Sequence, residues 1–155
     1  MSELKMPMPT TSTSDKEKAS VLDYVRRLLG DVSHPVGYRP DWITSKDGST
    51  SVFVTFSTRD NLFYDVGKKD LDEWSTFPRG FIVFVLGSHD RALVVAVKAL
   101  RERLLASGCV PSEKYGDFKL HVSVEGGEYH FRELLGWDLA TFLNNYFPLL
   151  GHSTN

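Results

Sequence analysis

The stretch that decides the fold is FKLHVSVEGGEYHFRE, residues 118–133, because apolar and polar letters alternate on both sides of its central Gly126-Gly127. Such alternation around a pair of glycines predicts a β-hairpin. A one-residue shift would put apolar groups on both faces, so that register is rejected. The register centred on the glycines pairs Val124 with Tyr129, Ser123 with His130, Val122 with Phe131 and His121 with Arg132.

The two faces of this hairpin are predicted to have opposite roles, one toward the core and one toward solvent. The core face comprises Phe118, Leu120, Val122, Val124, Tyr129 and Phe131. The opposite face, which we call the polar hairpin face, carries Lys119, His121, Ser123, His130 and Arg132, with Glu125 and Glu128 at the tip. It is the candidate functional surface of the chain.

The composition is that of one globular domain: 155 residues, of which 41% are hydrophobic and 25% are charged. The formal net charge is -2, from 18 basic and 20 acidic side chains. This balance argues against a protein coated by nucleic acid or held flat on an anionic membrane. It leaves a local basic patch open.

Cysteine usage and hydropathy limit the cellular compartments in which the protein is expected. The single cysteine, Cys109, excludes an internal disulfide and any multi-cysteine metal site. The longest apolar runs, 81–86 and 92–97, are far shorter than the roughly 20 residues that cross a bilayer. The N-terminus lacks the apolar core of a secretory signal. We therefore expect a cytoplasmic protein without a membrane partner.

Along the chain we predict a flexible tail over residues 1–13, a single α+β domain over 14–150, and a short tail over 151–155. Ser14 begins a capping-box pattern for a first helix, which should end at Gly30. Its apolar stripe is Val21, Leu22, Val25, Leu28 and Leu29. Residues 31–49 read as a long connection.

Two pairs of predicted strands follow. Segments 50–57 and 62–66 are predicted to form a hairpin across 59–61, with Val52, Val54, Phe56, Leu62, Tyr64 and Val66 on one face. Segments 81–86 and 92–97 should lie in the middle of the sheet with both faces covered, because they are apolar at nearly every position.

The remaining helices are predicted from apolar spacing and from caps. Residues 69–74 form a single turn, and Val97, Leu100 and Leu104 define a helix that ends before Gly108. A final helix, capped by Asp138 and stopped by Pro148, should bury Leu139, Phe142, Leu143, Tyr146 and Phe147. The fold class is α+β: a mainly antiparallel or mixed sheet of about six strands built from hairpins, with three main helices on one face. The strand order stays open, and the middle helix could bridge two parallel strands.

The leading functional hypothesis is a small non-catalytic module that binds DNA or RNA. Lys119 and Arg132 would contact phosphates, and His121, Ser123 and His130 would supply hydrogen bonds. Tyr38, Arg39 and Trp42 lie in a proline-bearing loop and have the composition of a base-stacking platform. The alternative for this loop is that both rings pin it onto the sheet.

Enzymatic roles have less support, and we expect no cofactor. His121 and His130 lack an obvious third metal ligand, so no metal site is predicted. Ser123 pairs with His130 but lies in mid-strand without a sharp elbow. Asp117-Phe118-Lys119 has the spacing of the Asp-x-Lys element of metal-dependent nucleases, with Asp90 as the partner carboxylate, and the element order resembles that superfamily. A metal-dependent nuclease is therefore one alternative.

The other alternative is a protein-interaction or chaperone-like subunit that binds a protein partner or forms a homodimer. The element order is similar to that of type III secretion chaperones, with an additional central strand. This resemblance implies helix-capped antiparallel sheets that dimerise and hold unfolded partners.

Overall fold

The structure is a computed structural model that describes residues 15–30, 32–33, 41–57, 62–134 and 136–150. Several sequence predictions lie outside these residues: the two tails, the capping Ser14, the hairpin loop 59–61, and the site residues Tyr38 and Arg39. The helices are α1 (Asp15–Leu29), α2 (Lys68–Trp74), α3 (Val97–Ser107) and α4 (Phe147–Leu150), with a 3-10 turn at Ala140–Phe142. The strands are β1 (Val32–Ser33), β2 (Trp42–Ser45), β3 (Thr50–Phe56), β4 (Phe63–Gly67), β5 (Arg79–Ser88), β6 (Arg91–Ala96), β7 (Asp117–Glu125) and β8 (Glu128–Phe131).

The helices and strands confirm the predicted α+β class, but the eight described strands are divided between two sheets where one sheet of about six strands was predicted. The larger sheet has five strands in the order β1-β2-β3-β5-β6, and the smaller has three in the order β4-β7-β8. Neighbours run antiparallel except β3 and β5, which are parallel. The connection between these two parallel strands contains β4 and α2, not the middle helix α3.

Strand β5 explains the layering, because its side chains alternate between two apolar clusters. Val83 and Val85 pack with residues of α1 and α4, whereas Ile82, Phe84 and Leu86 pack with residues of α2, α3 and the smaller sheet. The prediction that both faces of β5 are covered is confirmed. The expectation that the helices share one face is wrong, since a strand that is apolar on both sides needs cover on both.

The predicted hairpin of β3 and β4 does not form. β3 pairs with β2 and β5 in the larger sheet, whereas β4 pairs with β7 in the smaller one. The apolar residues predicted to share a face are accordingly divided: Val52 and Val54 lie in one cluster, and Tyr64 and Val66 in the other. Local alternation identified both strands but could not identify their partners.

Strand β6 lies at an edge, not in the middle, and the final segment covers it. Asn144 donates its N–H to the Ala92 carbonyl at 2.7 Å and accepts the Ala92 N–H on Oδ1 at 3.0 Å. This clamp requires a positive φ of 54° at Asn144, which a continuous helix forbids. The predicted helix is therefore wrong beyond its cap, where Asp138 accepts the Ala140 N–H, and Pro148 lies inside α4 instead of stopping a helix.

Other predictions are confirmed. α1 buries Val21, Val25 and Leu29, and α3 buries its predicted stripe and ends at Gly108, whose φ is 78°. The β7–β8 register is the predicted one, from Val122 opposite Phe131 to Val124 opposite Tyr129. The hairpin's core face is buried along its length but opens at the tip, where Val124 is 38% exposed.

Candidate functional surfaces

The polar hairpin face lies on the outer side of the smaller sheet. β7 is its central strand, so each outward residue of β7 has neighbours on β4 or β8. The register places Lys119 opposite Asp65 and His121 opposite Phe63 on β4, and Ser123 opposite His130 on β8. The structure therefore brings the five hairpin residues together on one face, as their period-two spacing requires.

The ammonium group of Lys119 is engaged by other side chains of the protein. Its ammonium lies 2.7 Å from Asp65 Oδ1, and it also lies 5.7 Å from the ring centre of Tyr115 and 5.8 Å from that of Phe63. A phosphate would have to compete with the Asp65 carboxylate for this cation. This competition weakens the predicted role of Lys119 as a hydrogen-bond donor to phosphate.

His121 is paired with a carboxylate that the sequence did not single out. Glu133 Oε1 accepts the backbone N–H of His121 at 2.8 Å, and Oε2 lies 2.6 Å from the ring nitrogen Nδ1. β8 ends at Phe131, and the Glu133 carboxylate takes the place of a strand carbonyl as the acceptor of the His121 N–H. This pair fixes the orientation of the imidazole, which packs 4.7 Å from the Phe63 ring.

The other three residues of the polar hairpin face are less constrained. Ser123 and His130 are partly buried and opposite each other, but no hydrogen bond joins their side chains. Arg132 is exposed and makes no ion pair with another described residue. Its backbone N–H donates to the His121 carbonyl at 2.9 Å, which continues the hairpin ladder by one residue.

The charge of this region is negative. The outer side of the smaller sheet and the loop before β7 carry six carboxylates against three basic side chains; the acids are Asp65, Glu113, Asp117, Glu125, Glu128 and Glu133, and the bases are Lys114, Lys119 and Arg132. This local excess is larger than the net charge of -2 for the whole chain. An anion approaching the face would meet repulsion from most of the fixed charges.

Trp42, the described aromatic residue of the loop predicted as a stacking platform, is not on this surface. Trp42 begins β2 and is buried, with its ring 6.2 Å from Trp74 and 6.0 Å from Phe77, and its Nε1 donates to Ser51 Oγ. The alternative interpretation, that the ring pins the segment onto the sheet, is the correct one for Trp42. Its indole has too little exposed area to stack on a base.

The two carboxylates considered for a nuclease site belong to different parts of the fold, one in a turn of the larger sheet and one on a strand of the smaller sheet. Asp90 follows β5, where its Oδ1 is 3.0 Å from His89 Nε2, whereas Asp117 opens β7 beside Gly67. Within the described part of the chain, no three His, Cys, Asp or Glu side chains are grouped to hold a metal ion. Asp90 therefore does not serve as the partner that the Asp-x-Lys spacing requires.

A second surface was not anticipated from the sequence. Leu105 near the end of α3, and Val110 and Tyr115 in the loop before β7, are 61%, 80% and 65% exposed. We call these three residues the apolar patch. Val110 lines a groove of about 200 Å³ together with Leu104, Cys109, Ser112, Phe118, Lys119, Leu120 and Glu133. Leu105 lines an adjoining cleft, and the Tyr115 ring lies 5.7 Å from the ammonium of Lys119 at the groove.

The groove continues along α3 toward α2. Leu104 and Phe118 also line an adjoining shallow cleft that reaches Leu105 and Leu71. At its far end Asp72 accepts hydrogen bonds from Lys68 Nζ at 3.0 Å and Arg101 Nε at 2.9 Å. The hydrogen bonds from Lys68 and Arg101 lower the pKa of Asp72. The carboxylate and its two cations therefore satisfy one another beside the apolar patch.

The signals for the patch in the sequence were weak. Leu105 lies outside the buried stripe of α3, and Val110 and Tyr115 are isolated apolar letters in a polar loop. Single exposed apolar residues are common on protein surfaces, so only their proximity in the fold gives them meaning. The partners Asp65 and Glu133 were missed for a similar reason, since neither forms a motif with the residue it contacts.

Comparisons with known proteins identify no relative. Neither the protein-family models, nor the curated proteins, nor the solved structures contain a match to this chain. Among the described helices, none is both long enough and apolar enough to cross a membrane.

Proposed function

We propose that this protein is a non-catalytic interaction module that binds a protein partner through the apolar patch. The observation that carries the proposal is the exposure of Leu105, Val110 and Tyr115 beside two adjoining clefts. Val110 lines one cleft and Leu105 the other, and Tyr115 lies against Lys119, which lines the first. Keeping such a cluster in water is unfavourable, and contiguous apolar patches on soluble proteins commonly mark contact sites. Aliphatic and tyrosine side chains around a concavity also supply the anchors of typical interfaces.

Site-specific photocrosslinking in the cells that express the protein tests this proposal. A benzophenone amino acid at position 110 should give a discrete protein adduct, whereas one at position 147 should not. Phe147 is the matched control, because it is 76% exposed but lies in α4, outside the patch. Equal adducts from both positions, or none from position 110, would contradict the proposal.

The crosslinked partner can then be produced and its affinity measured by calorimetry. Replacing Leu105 and Val110 by serine should weaken binding at least about tenfold, since truncation of anchor residues costs more than about 1 kcal/mol each. Phe147→Ser should leave the dissociation constant unchanged. A double variant that binds like the wild type would place the interface elsewhere.

Nucleic-acid binding by the polar hairpin face is the second candidate. The observation in its favour is that His130 and Arg132 are adjacent on this face and make no ion pair with another described residue. The pairing of Lys119 with Asp65 and the excess of carboxylates weigh against it. Labelled single-stranded DNA and RNA should bind at micromolar protein, weaken with salt and lose affinity on Arg132→Ala if this candidate is correct.

We assign the proposed role to the cytoplasm. The single cysteine, Cys109, is free, with its Sγ 3.0 Å from Ser107 Oγ and 3.7 Å from the Glu133 carbonyl. A fold whose single cysteine is free is compatible with a reducing compartment.

A further inference from the structure

We propose that the segment docking on the apolar patch is basic as well as apolar: a stretch of a partner protein in which lysine or arginine flanks at least one large apolar side chain. This inference rests on the proposed function and adds the chemistry of the partner. It is carried by the lining of the groove and by the charge of the surface beside it.

The apolar part of the segment is specified by the groove. Its floor is formed by the buried side chains of Leu104, Phe118 and Leu120, and its rim by Val110 and the thiol-bearing Cys109. An inserted aliphatic or aromatic side chain would exchange water contacts for contacts with these apolar groups. Tyr115, exposed on the loop, offers an additional ring at one end.

The basic part is specified by the surroundings. The adjoining surface carries six carboxylates and three basic side chains. Of the three basic side chains, Lys119 is already paired with Asp65. Glu113 and Asp117 lie closest in the chain to Tyr115, and neither makes an ion pair with another described residue. Cationic side chains on the partner would find these carboxylates available, which raises the association rate and fixes the register of docking.

The same charges disfavour a second copy of this chain as the occupant. A two-fold symmetric contact places the same surface of both subunits against itself. Glu113 and Asp117 of one copy would then approach the same acidic surface of the other, with like-charge repulsion. The observations therefore favour a different protein whose charge is opposite.

Selection from a random peptide library displayed on phage tests the inference with the full chain as bait. One selection uses the wild-type protein, and a parallel one uses the variant with Leu105→Ser and Val110→Ser. Peptides enriched only on the wild type should be rich in Lys or Arg next to Leu, Ile, Phe or Trp. Their affinities are then measured by fluorescence polarisation at about 50 mM and about 200 mM salt.

Charge variants separate the inference from the proposed function. Glu113→Gln with Asp117→Asn should weaken the enriched peptides about tenfold at low salt and flatten the salt dependence. Glu17→Gln with Asp23→Asn removes the same charge from α1, on the opposite side of the larger sheet, and should have no effect. Circular dichroism verifies that each variant is folded.

The outcomes distinguish the two claims. If no peptide depends on Leu105 and Val110, the proposed function and the inference both fail. If patch-dependent peptides emerge without a basic bias, or bind the Glu113/Asp117 variant as tightly as the wild type, only the inference fails. Concentration-dependent self-association that is abolished in the Leu105/Val110 variant would replace the partner protein by a second copy of this chain.

Discussion

The apolar patch, at the end of α3 and in the loop that precedes β7, lies next to the polar hairpin face on β7 and β8, but the two surfaces differ in their internal partners. On the polar hairpin face, Asp65 accepts from Lys119 and Glu133 holds both the backbone and the ring of His121. On the apolar patch, Leu105, Val110 and Tyr115 are left largely in water. The polar hairpin face, which looked functional in the sequence, is satisfied internally at Lys119 and His121. The surface that we propose as the contact site gave little signal in the sequence.

This contrast teaches that a row of donors is a binding site only if the fold leaves the donors available. An internal carboxylate at 2.7 Å lowers the gain from an external phosphate, because the existing pair has to be broken first. An exposed apolar side chain carries no such cost. It gains from any well-fitting contact that removes it from water.

The largest expected difference in the free energy of unfolding is between a variant on the buried side of the hairpin and a variant in the apolar patch. Phe131→Ala should lower the free energy of unfolding by about 3–5 kcal/mol, because Phe131 is fully buried with its ring 5.1 Å from Phe84. Val110→Ala should change it by less than about 0.5 kcal/mol. Urea denaturation of both variants measures the difference, and similar losses would mean that Val110 is part of the core.

The next effect tests the internal satisfaction of the polar hairpin face. Glu133→Ala removes the carboxylate that accepts from His121 and should cost about 1–3 kcal/mol of stability. Glu128→Ala at the exposed hairpin tip is the matched control and should stay within about 0.5 kcal/mol of the wild type. Equal stability of the two variants in urea would show that the Glu133 contacts do not support the hairpin.

A comparable effect is expected at alkaline pH from the tyrosine beneath the smaller sheet. Burial raises the pKa of Tyr64 far above its ordinary value of 10.0, and its hydroxyl donates to the Val85 carbonyl at 2.6 Å. Because the unfolded chain releases this proton first, stability is unaffected below pH about 10 and falls above it, by up to about 1.4 kcal/mol per pH unit.

The check is urea denaturation at pH 8 and pH 11. Tyr64→Phe should lose about 1 kcal/mol at pH 8 with the missing hydrogen bond, but its stability should fall less between the two pH values than that of the wild type. Tyr115→Phe, in the apolar patch, should leave the alkaline loss unchanged. An unaltered loss in Tyr64→Phe would assign the effect to another group.

The smallest effect concerns the partly exposed pair on the polar hairpin face. Lys119→Ala should lower stability by about 0.2–1 kcal/mol, and salt should reduce the difference. Double-mutant cycles with Asp65→Ala measure the coupling. A coupling indistinguishable from zero at low salt would mean that Lys119 is available to an external anion after all.

Local pattern was sufficient for the parts of the fold that depend on neighbours in sequence. The register from Val122 to Phe131 followed from period two around Gly126-Gly127, and the stripe of α3 followed from helical spacing. The parallel pairing of β3 with β5 did not, because the alternation of β3 is compatible with any partner strand. The β4 residues were assigned to the wrong sheet for the same reason.

Tertiary requirements overrode local pattern at the end of the chain. Residues from Leu139 to Phe147 have helical spacing, but Asn144 instead takes a positive φ and binds Ala92 at the edge of β6. Covering that edge satisfies a strand that would otherwise expose its backbone groups. The candidate surfaces follow the same rule, since the Asp65 partner of Lys119 is 54 residues away in the chain.

The claim that the apolar patch is the contact surface is tested most directly by mapping where a patch-selected peptide binds. The map is obtained from changes in the amide chemical shifts of the isotope-labelled full chain. We expect the perturbed amides to cluster at Leu105, Val110 and Tyr115, while those of Ser123, His130 and Arg132 stay unperturbed. Perturbations centred on His130 and Arg132, with the patch unaffected, would contradict the claim.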